Sequence, residues 1–313
     1  MIVRVAAVQA SPVFLDLAAT LEKTLAQMAD AAALGANLVV FPETWLPGYP
    51  AWLDVCPGAA LWDSAAAKAV FARLRRNSVV IPGPVTEALA KAAKKHGVTV
   101  SIGVHERCEA GPGRGTLYNT MLLFDEAGQL RITHRKLMPT YTEKLLWGLG
   151  DGSGLEAATT SSAGRVGGLI CWEHWMPLAR QAMHNSGEDI HIAAWPTAHN
   201  LHQLASRHYA FEGGCFVVAS GGMMRAKDLP PELERTADLI ADPEKWILRG
   251  GSAIIAPDTS YVTEPIFDQE TIVIGDCDLA RVEEARLTLD VAGHYARPDV
   301  LEFRVKPQEN WKS

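Results

Sequence analysis

Along the chain, short runs of β-branched and apolar residues alternate with longer Ala- and Leu-rich segments whose apolar positions recur at helical spacing. The first pair is a strand over Val3–Ala10 and an amphipathic helix over Asp16–Leu34, closed by Gly35. A second short strand is expected at Asn37–Phe41. Thr86–His96 reads as a helix stopped by Gly97, which leads into a strand over Val98–Val104. Thr116–Phe124 and Gln129–Arg135 read as a hairpin turning through Asp125–Gly128. The second half keeps the rhythm: strand Val166–Ile170, a helix near Met176–His184, strand Ile190–Ala194, helix Leu201–Phe211 and strand Cys215–Ala219. Ser252–Ala256 and Thr271–Cys277 complete the sheet-forming material.

Strands interleaved with helices, plus hairpin-like pairs, predict a layered α/β protein with mixed sheets. A length of 313 residues alone would suggest about two domains. No Pro/Gly/Ser-rich linker divides the chain, however, and no internal repeat or low-complexity tract interrupts it. The charged, Pro-containing segment Arg225–Arg249 reads as a surface excursion within one domain.

Charge and composition narrow the function classes. With 29 Lys+Arg against 36 Asp+Glu the net charge is −7, which argues against a nucleic-acid binder needing a basic footprint. Hydrophobic residues at 48% and charged ones at 21% are ordinary for a globular protein. No long uninterrupted apolar stretch predicts a membrane span, and the N-terminus lacks the basic head and apolar run of a signal peptide. The five cysteines have no close pair and form no Cys-x-x-Cys, so neither a disulfide framework nor a zinc site is expected. A cytoplasmic protein with reduced thiols fits this usage.

Three segments share one geometry, a strand that ends by placing a reactive side chain at its tip. They are Phe41-Pro42-Glu43, His134-Arg135-Lys136 and Leu169-Ile170-Cys171-Trp172-Glu173. In open α/β sheets, sites form beyond the carboxyl ends of strands. The cysteine is also expected near a helix N-terminus, whose dipole favours a thiolate. A carboxylate raised by burial can take a thiol proton, and an ammonium can stabilise negative charge on an attacked substrate. Taken singly, each segment has a commoner explanation: a solvated glutamate, a surface lysine, a cysteine that only packs.

Longer wording around these residues carries a resemblance. PETWLPGYPAW (Pro42–Trp52), HRKLMPTYTEKLLWGLGDGSGL (His134–Leu155) and GGLICWEHWMPLARQAMH (Gly167–His184) closely resemble the nitrilase branch of the carbon–nitrogen hydrolase superfamily. AAWP (Ala193–Pro196), EGGCFVVAS (Glu212–Ser220), RGGSAIIAPD (Arg249–Asp258) and DVAGHYARPDVL (Asp290–Leu301) extend it over almost the whole chain in the expected order. The resemblance implies a single α/β domain over residues 1–313, a four-layer αββα sandwich. Its Glu–Lys–Cys triad falls on Glu43, Lys136 and Cys171, with Glu143 orienting Lys136. It implies hydrolysis of a nitrile with two waters to the carboxylic acid and ammonia. Glu43 would take the Cys171 proton and sulfur would attack the nitrile carbon to give a thioimidate. Lys136 would stabilise the nitrogen-centred charge, and a thioester would follow before the acid is released. No metal or organic cofactor is implied. A homodimer or larger spiral is, with the 280–313 tail (Val291–Val305 in particular) available for subunit contacts.

Six of the nine tryptophans, Trp45, Trp52, Trp62, Trp147, Trp172 and Trp175, lie close in sequence to these segments. Aromatic walls are usual in small-molecule sites, so Trp172, Trp52, Trp195 and Tyr49 are the candidate substrate-binding residues. An amidase or N-carbamoyl amidohydrolase using the same triad is the closest alternative. Cyanide hydrolysis would need a very small pocket, and a dead scaffold would be expected to have lost a triad member. Other signals lead nowhere. Gly150–Gly154 lacks the context of a dinucleotide loop, Ser220 is not in a Gly-x-Ser-x-Gly elbow, and His105, His199 and His202 have no metal-site spacing. His174 is read as a structural neighbour of the nucleophile and Cys215 as core, while Cys56, Cys108 and Cys277 have no reactive context.

Overall fold

The computed structural model describes residues 1–111 and 113–306. Thirteen strands are found among them. In chain order these are β1 (Ile2–Gln9), β2 (Leu38–Val40), β3 (Thr99–Arg107), β4 (Leu117–Phe124), β5 (Leu130–Arg135), β6 (Ala158–Thr160), β7 (Gly164–Ile170), β8 (Ile190–Trp195), β9 (Phe216–Gly221), β10 (Met223–Arg225), β11 (Trp246–Ile255), β12 (Tyr261–Phe267) and β13 (Thr271–Asp278). They form a six-stranded sheet in the order β13-β1-β2-β3-β4-β5 and a seven-stranded sheet, β10-β11-β9-β8-β7-β6 with β12 paired to β11. Each sheet has a parallel centre, β1-β2-β3 in one and β7-β8-β9 in the other, flanked by antiparallel strands.

Period-two alternation decides which layer each side chain enters. Along β1, Val3, Val5 and Ala7 join a core that also contains Val166, Leu169, Ile192 and Val218 of the second sheet. Ala6 and Val8 turn the other way and pack with Met28 and Ala31 of α1 (Leu17–Ala33). Two short helices follow β2, α2 (Trp52–Val55) and α3 (Ala65–Arg76). The next helix, α4 (Pro84–His96), adds Leu89, Ala92 and Ala93 to the layer that α1 builds. On the far side, α5 (Pro177–Ser186) and α6 (Asn200–Gly213) cover the second sheet through Ala179, Met183, Ala205 and Tyr209. Both faces of both sheets are thus covered, which gives the αββα order. Each fully buried Val, Leu or Ile contributes about 1.5–3 kcal/mol, so two such layers hold the sheets in fixed register.

Several elements were not anticipated. Helix α3 is capped by Ser64, whose hydroxyl accepts from Ala67 N at 3.2 Å, and its Val70 and Leu74 are buried. The segment read as a surface excursion is partly core. It contains the last residue of β10, α7 (Ala237–Ala241) and the start of β11, and Leu229, Leu233, Leu239 and Leu248 join α2 and α3 in a third cluster. Its charges had masked these four leucines. β12 alternates poorly in burial, so it carries little period-two signal. Part of the 280–313 segment is helical, α8 (Ala280–Thr288), and residues 307–313 lie outside the described residues.

Candidate active site

Three strand ends converge. Beyond β2 the chain runs Phe41-Pro42-Glu43, then bends sharply at Thr44, whose φ of 44° is left-handed. The bend presses against β3 at Gly103, where a Cβ would overlap Thr44 N and Pro42 O and lie 2.8 Å from the Glu43 carbonyl carbon. Lys136 directly follows β5, its N–H donating to Asn119 O at 2.8 Å and its carbonyl accepting from Gly150 N at 2.8 Å. Cys171 directly follows β7 with φ of 52° and opens a single 3-10 turn, Cys171–Trp175. Helix α5 begins only at Pro177. The expected helix N-terminus at the thiol is therefore replaced by a short turn, too brief to build a macrodipole.

The side chains meet in a buried group. Lys136 Nζ donates to Glu43 Oε1 at 2.9 Å and to Glu143 Oε2 at 2.7 Å, with all three side chains almost fully enclosed. Cys171 Sγ and one carboxylate oxygen of each glutamate lie within 4.8 Å of one another. Asn119 Nδ2 donates to Glu43 Oε1 at 2.6 Å, while Glu43 Oε2 is buried with no hydrogen-bond partner. Glu143, on the 3-10 turn Tyr141–Leu145, accepts from Tyr49 OH at 2.8 Å and from Thr140 N at 2.6 Å. Two carboxylates and a thiol this close resemble a metal-ligand set. The Lys136 ammonium already sits on both carboxylates, where a cation would otherwise sit.

Electrostatics set the protonation states. Burial raises the Glu43 carboxyl to about 7, with Lys136 pulling it down and Glu143 pushing it up. Burial also pushes the Cys171 thiol well above its ordinary value, reinforced by Glu43 and Glu143 and only partly opposed by Lys136. The thiol is therefore neutral at rest, as a base that takes its proton requires, and no helix terminus lowers it. For Lys136, burial disfavours the charge but the carboxylates Glu43 and Glu143 outweigh it, so the amine is held above its ordinary value and stays an ammonium. The constellation is a neutral thiol, a carboxylate that titrates near neutrality and a permanent cation. Such a set can transfer a proton from sulfur to carboxylate and stabilise charge on an attacked atom.

Glu173 was not singled out from the sequence. Its buried carboxylate accepts from Ile170 N at 2.7 Å, from Leu137 N at 2.8 Å and from His134 Nε2 at 2.9 Å. It thereby ties the backbone before Cys171 to the backbone after Lys136. Burial would raise this carboxyl, but His134 and the two backbone donors hold it below its usual range. His105 and Trp147 are a second unforeseen pair. His105 sits between Gly48 O at 3.0 Å and the Trp147 indole N–H at 3.0 Å, and the Trp147 ring lies 6.0 Å from Lys136 Nζ. The only available signals were local, a histidine in a strand and a tryptophan four residues after Glu143.

The expected substrate-binding residues are spread. Tyr49 is half-buried and bonded to Glu143. Trp172 is half-buried and stacks on His202 with centroids 5.4 Å apart. Trp52 is buried in the third core cluster with α3. Trp195 is fully enclosed, donates to Ser206 Oγ at 3.1 Å and packs against His174. Trp62, by contrast, is 98% exposed.

A carbon–nitrogen hydrolase family model matches residues 4–287. An aliphatic nitrilase from Sinorhizobium fredii is 42% identical over 307 residues, covering 96% of this chain and 95% of that protein. A nitrilase from Paraburkholderia phymatum is 38% identical over 314 residues, covering 97% and 86%. A bifunctional nitrilase/nitrile hydratase from Nicotiana tabacum is 39% identical over 309 residues, again covering 97% and 86%. In fold, the chain is similar to a carbon–nitrogen hydrolase from Helicobacter pylori, with TM-score 0.71 and 19% identity over 96% of this chain and 97% of that one. Nit3 of Saccharomyces cerevisiae gives TM-score 0.69 and 20% identity over 94% and 96%. The match runs through all three strand ends that build the buried group, and the chain belongs to the carbon–nitrogen hydrolase family.

Proposed function

We propose that this protein is a nitrilase, converting a nitrile and two waters into a carboxylic acid and ammonia. The observation that carries the reading is the Lys136 ammonium, bonded to both Glu43 and Glu143 with the Cys171 thiol against the same carboxylates. Relatives named as nitrilases share about 40% of its residues over nearly the full chain, which supports a nitrile as substrate. Ionised Glu43 takes the Cys171 proton as sulfur attacks the nitrile carbon, and the nitrogen is protonated to give a thioimidate. Lys136 donates to that nitrogen while charge accumulates on it. Water adds to the carbon, ammonia leaves, and a second water splits the resulting thioester to release the acid and restore the thiol. Glu143 holds Lys136 on its second side and keeps its Nζ aimed between the two carboxylates.

The other parts of the reading follow. Tyr49 and Trp172 are the aromatic groups best placed to meet a substrate, since Trp195 is packed away from any open space. The outer face of α5 and α6 presents Leu178, Leu201 and Leu204, all more than half exposed, and supports a homodimer through that face. The tail from residue 280, with Leu287, Val300 and Leu301 exposed, is a second candidate contact. Among the described residues no helix is long and apolar enough to cross a membrane, and all five cysteines are free, which suits a reducing compartment.

The decisive experiment measures ammonia from a panel of arylacetonitriles, aromatic nitriles, aliphatic nitriles and dinitriles, with the matching amides as controls. The wild type releases ammonia from at least one nitrile, and Cys171→Ala releases none while keeping wild-type circular dichroism. Turnover retained by Cys171→Ala would sink the mechanism, and ammonia from amides alone would move the protein to the amidase reading.

A further inference from the structure

Behind the nucleophile, a line of enclosed polar side chains runs from the Cys171 backbone into the second sheet. His174 Nδ1 lies 2.7 Å from the Cys171 carbonyl oxygen, His174 Nε2 lies 3.0 Å from His191 Nε2, and His191 Nδ1 lies 2.8 Å from Glu188 Oε1. Tyr209 OH donates to Glu188 Oε2 at 2.6 Å. All four residues are buried. The backbone is cut to fit them, because a Cβ on Gly167 would stand 2.5 Å from Glu188 Oε1.

What each atom can do fixes the direction of each bond. A carbonyl oxygen only accepts, so His174 carries its proton on Nδ1. Neutral His174 then offers a lone pair at Nε2, and the nitrogen facing it must donate, so His191 carries its proton on Nε2. That leaves His191 Nδ1 as an acceptor, and the carboxyl oxygen opposite must supply a proton. Tyr209 donates to the other carboxyl oxygen, which is the carbonyl oxygen of a neutral acid. The competing arrangement sets an imidazolium on His191 against a carboxylate on Glu188, two charges with no access to water. Burial opposes it: it pushes both imidazoles well below their ordinary values and Glu188 up to about 7.

We propose that Glu188 is a positioning residue for the reaction proposed above, a neutral donor whose proton, relayed through His191 and His174, fixes the carbonyl of Cys171. The left-handed backbone at Cys171 is strained and persists only where its surroundings hold it. The same turn is gripped from a second side, since Arg180 Nη1 donates to His174 O at 3.0 Å while its Nε pairs with Glu212 at 2.6 Å. Glu188 is faced by His191 from β8, Tyr209 from α6, His184 from α5 and Arg165 from β7. Tyr209, His184 and Arg165 all draw its proton away. The Cys215 thiol beside β9 also feels Glu188. As pH rises and the proton leaves, His191 moves its proton to Nδ1 to face the carboxylate, and His174 regains a partner at Nε2 only by moving its own proton there, which releases the Cys171 carbonyl.

The test uses histidine-labelled NMR alongside kinetics. Below neutrality the wild type shows neutral His174 protonated on Nδ1 and neutral His191 protonated on Nε2, and this pattern collapses as pH rises. Glu188→Gln places an amide N–H2 toward His191 and an oxygen toward Tyr209, so it keeps the pattern at high pH. With a nitrile that the wild type turns over, the alkaline fall in kcat disappears in Glu188→Gln. Glu188→Leu lowers kcat by about 10–100-fold with KM changed less, as expected of a misplaced nucleophile. If Glu188→Leu does not fold, Glu188→Gln and the tautomers decide alone. An imidazolium signal from His191 below neutrality, or loss of the pattern in Glu188→Gln, overturns the proposal. Failure of the wild type to hydrolyse any nitrile would instead sink the functional reading and leave the tautomer result to stand or fall by itself.

Discussion

In the proposed reaction Glu43 serves as base only while ionised, and its environment places that ionisation near neutrality. Burial raises its carboxyl to about 7 against the pull of Lys136, and the Asn119 hydrogen bond pulls it down further. The sign follows directly. Below about 7 the carboxyl is protonated and cannot take the Cys171 proton, so kcat/KM falls as pH drops through that region. Asn119→Ala removes a donor that stabilises the ionised form. Its acid limb is expected at a pH higher by roughly one unit, the equivalent of one hydrogen bond to a charged group. A pH–rate profile of the two proteins measures this. A limb that stays in place, or moves to lower pH, would show that Glu43 is not the group being titrated.

At the scale of elements, the approach of β2's extension to β3 decides where Glu43 points. Alanine normally stabilises a strand interior over glycine by about 0.5–1 kcal/mol. At Gly103 the sign reverses, because the new Cβ would overlap the backbone of the Glu43 bend. Gly103→Ala is expected to lower both the melting temperature and kcat/KM, the latter by about 10–100-fold from displacement of the base. A raised melting temperature with full activity would show that the bend has room to move.

Elements of this kind were unequally legible. The alternation along Ile2–Gln9 and the Asp125–Gly128 turn announce themselves locally, since Asp125 Oδ1 accepts from Gln129 N at 2.8 Å within the turn itself. That Glu43, Lys136, Glu143 and Cys171 meet in one buried group is legible in the wording around them. Glu173 is not, because two of its three donors, Leu137 N and His134, come from a strand end 36 and 39 residues earlier, and only the fold brings them there. The same holds for Glu188, whose partner Tyr209 sits on the next helix. The helix N-terminus expected at the thiol is absent because strand-to-helix wording hides a 3-10 turn between Cys171 and α5.

On the scale of the molecule, one core cluster contains residues of both sheets, from Val3 and Val5 to Ile190, Phe216 and Ile255. We read the chain as one folding unit on that ground, since neither sheet can lose its inner layer without exposing the other. The outer layer is less complete. Leu201 and Leu204 stand 57% and 58% exposed on α6, and Leu178 is 72% exposed on α5, which directly follows the Cys171 turn. A homodimer through this face would remove those side chains from water and stiffen α5 and α6 behind Cys171. Because association stabilises only the folded chain, the melting temperature of such a dimer rises with protein concentration while unfolding remains a single transition. Leu201→Glu places a charge in the contact and is expected to give a monomer by sedimentation, with a melting temperature that no longer depends on concentration. Two separate transitions would argue against one folding unit, and a wild type that sediments as a monomer at micromolar concentration would remove the dimer.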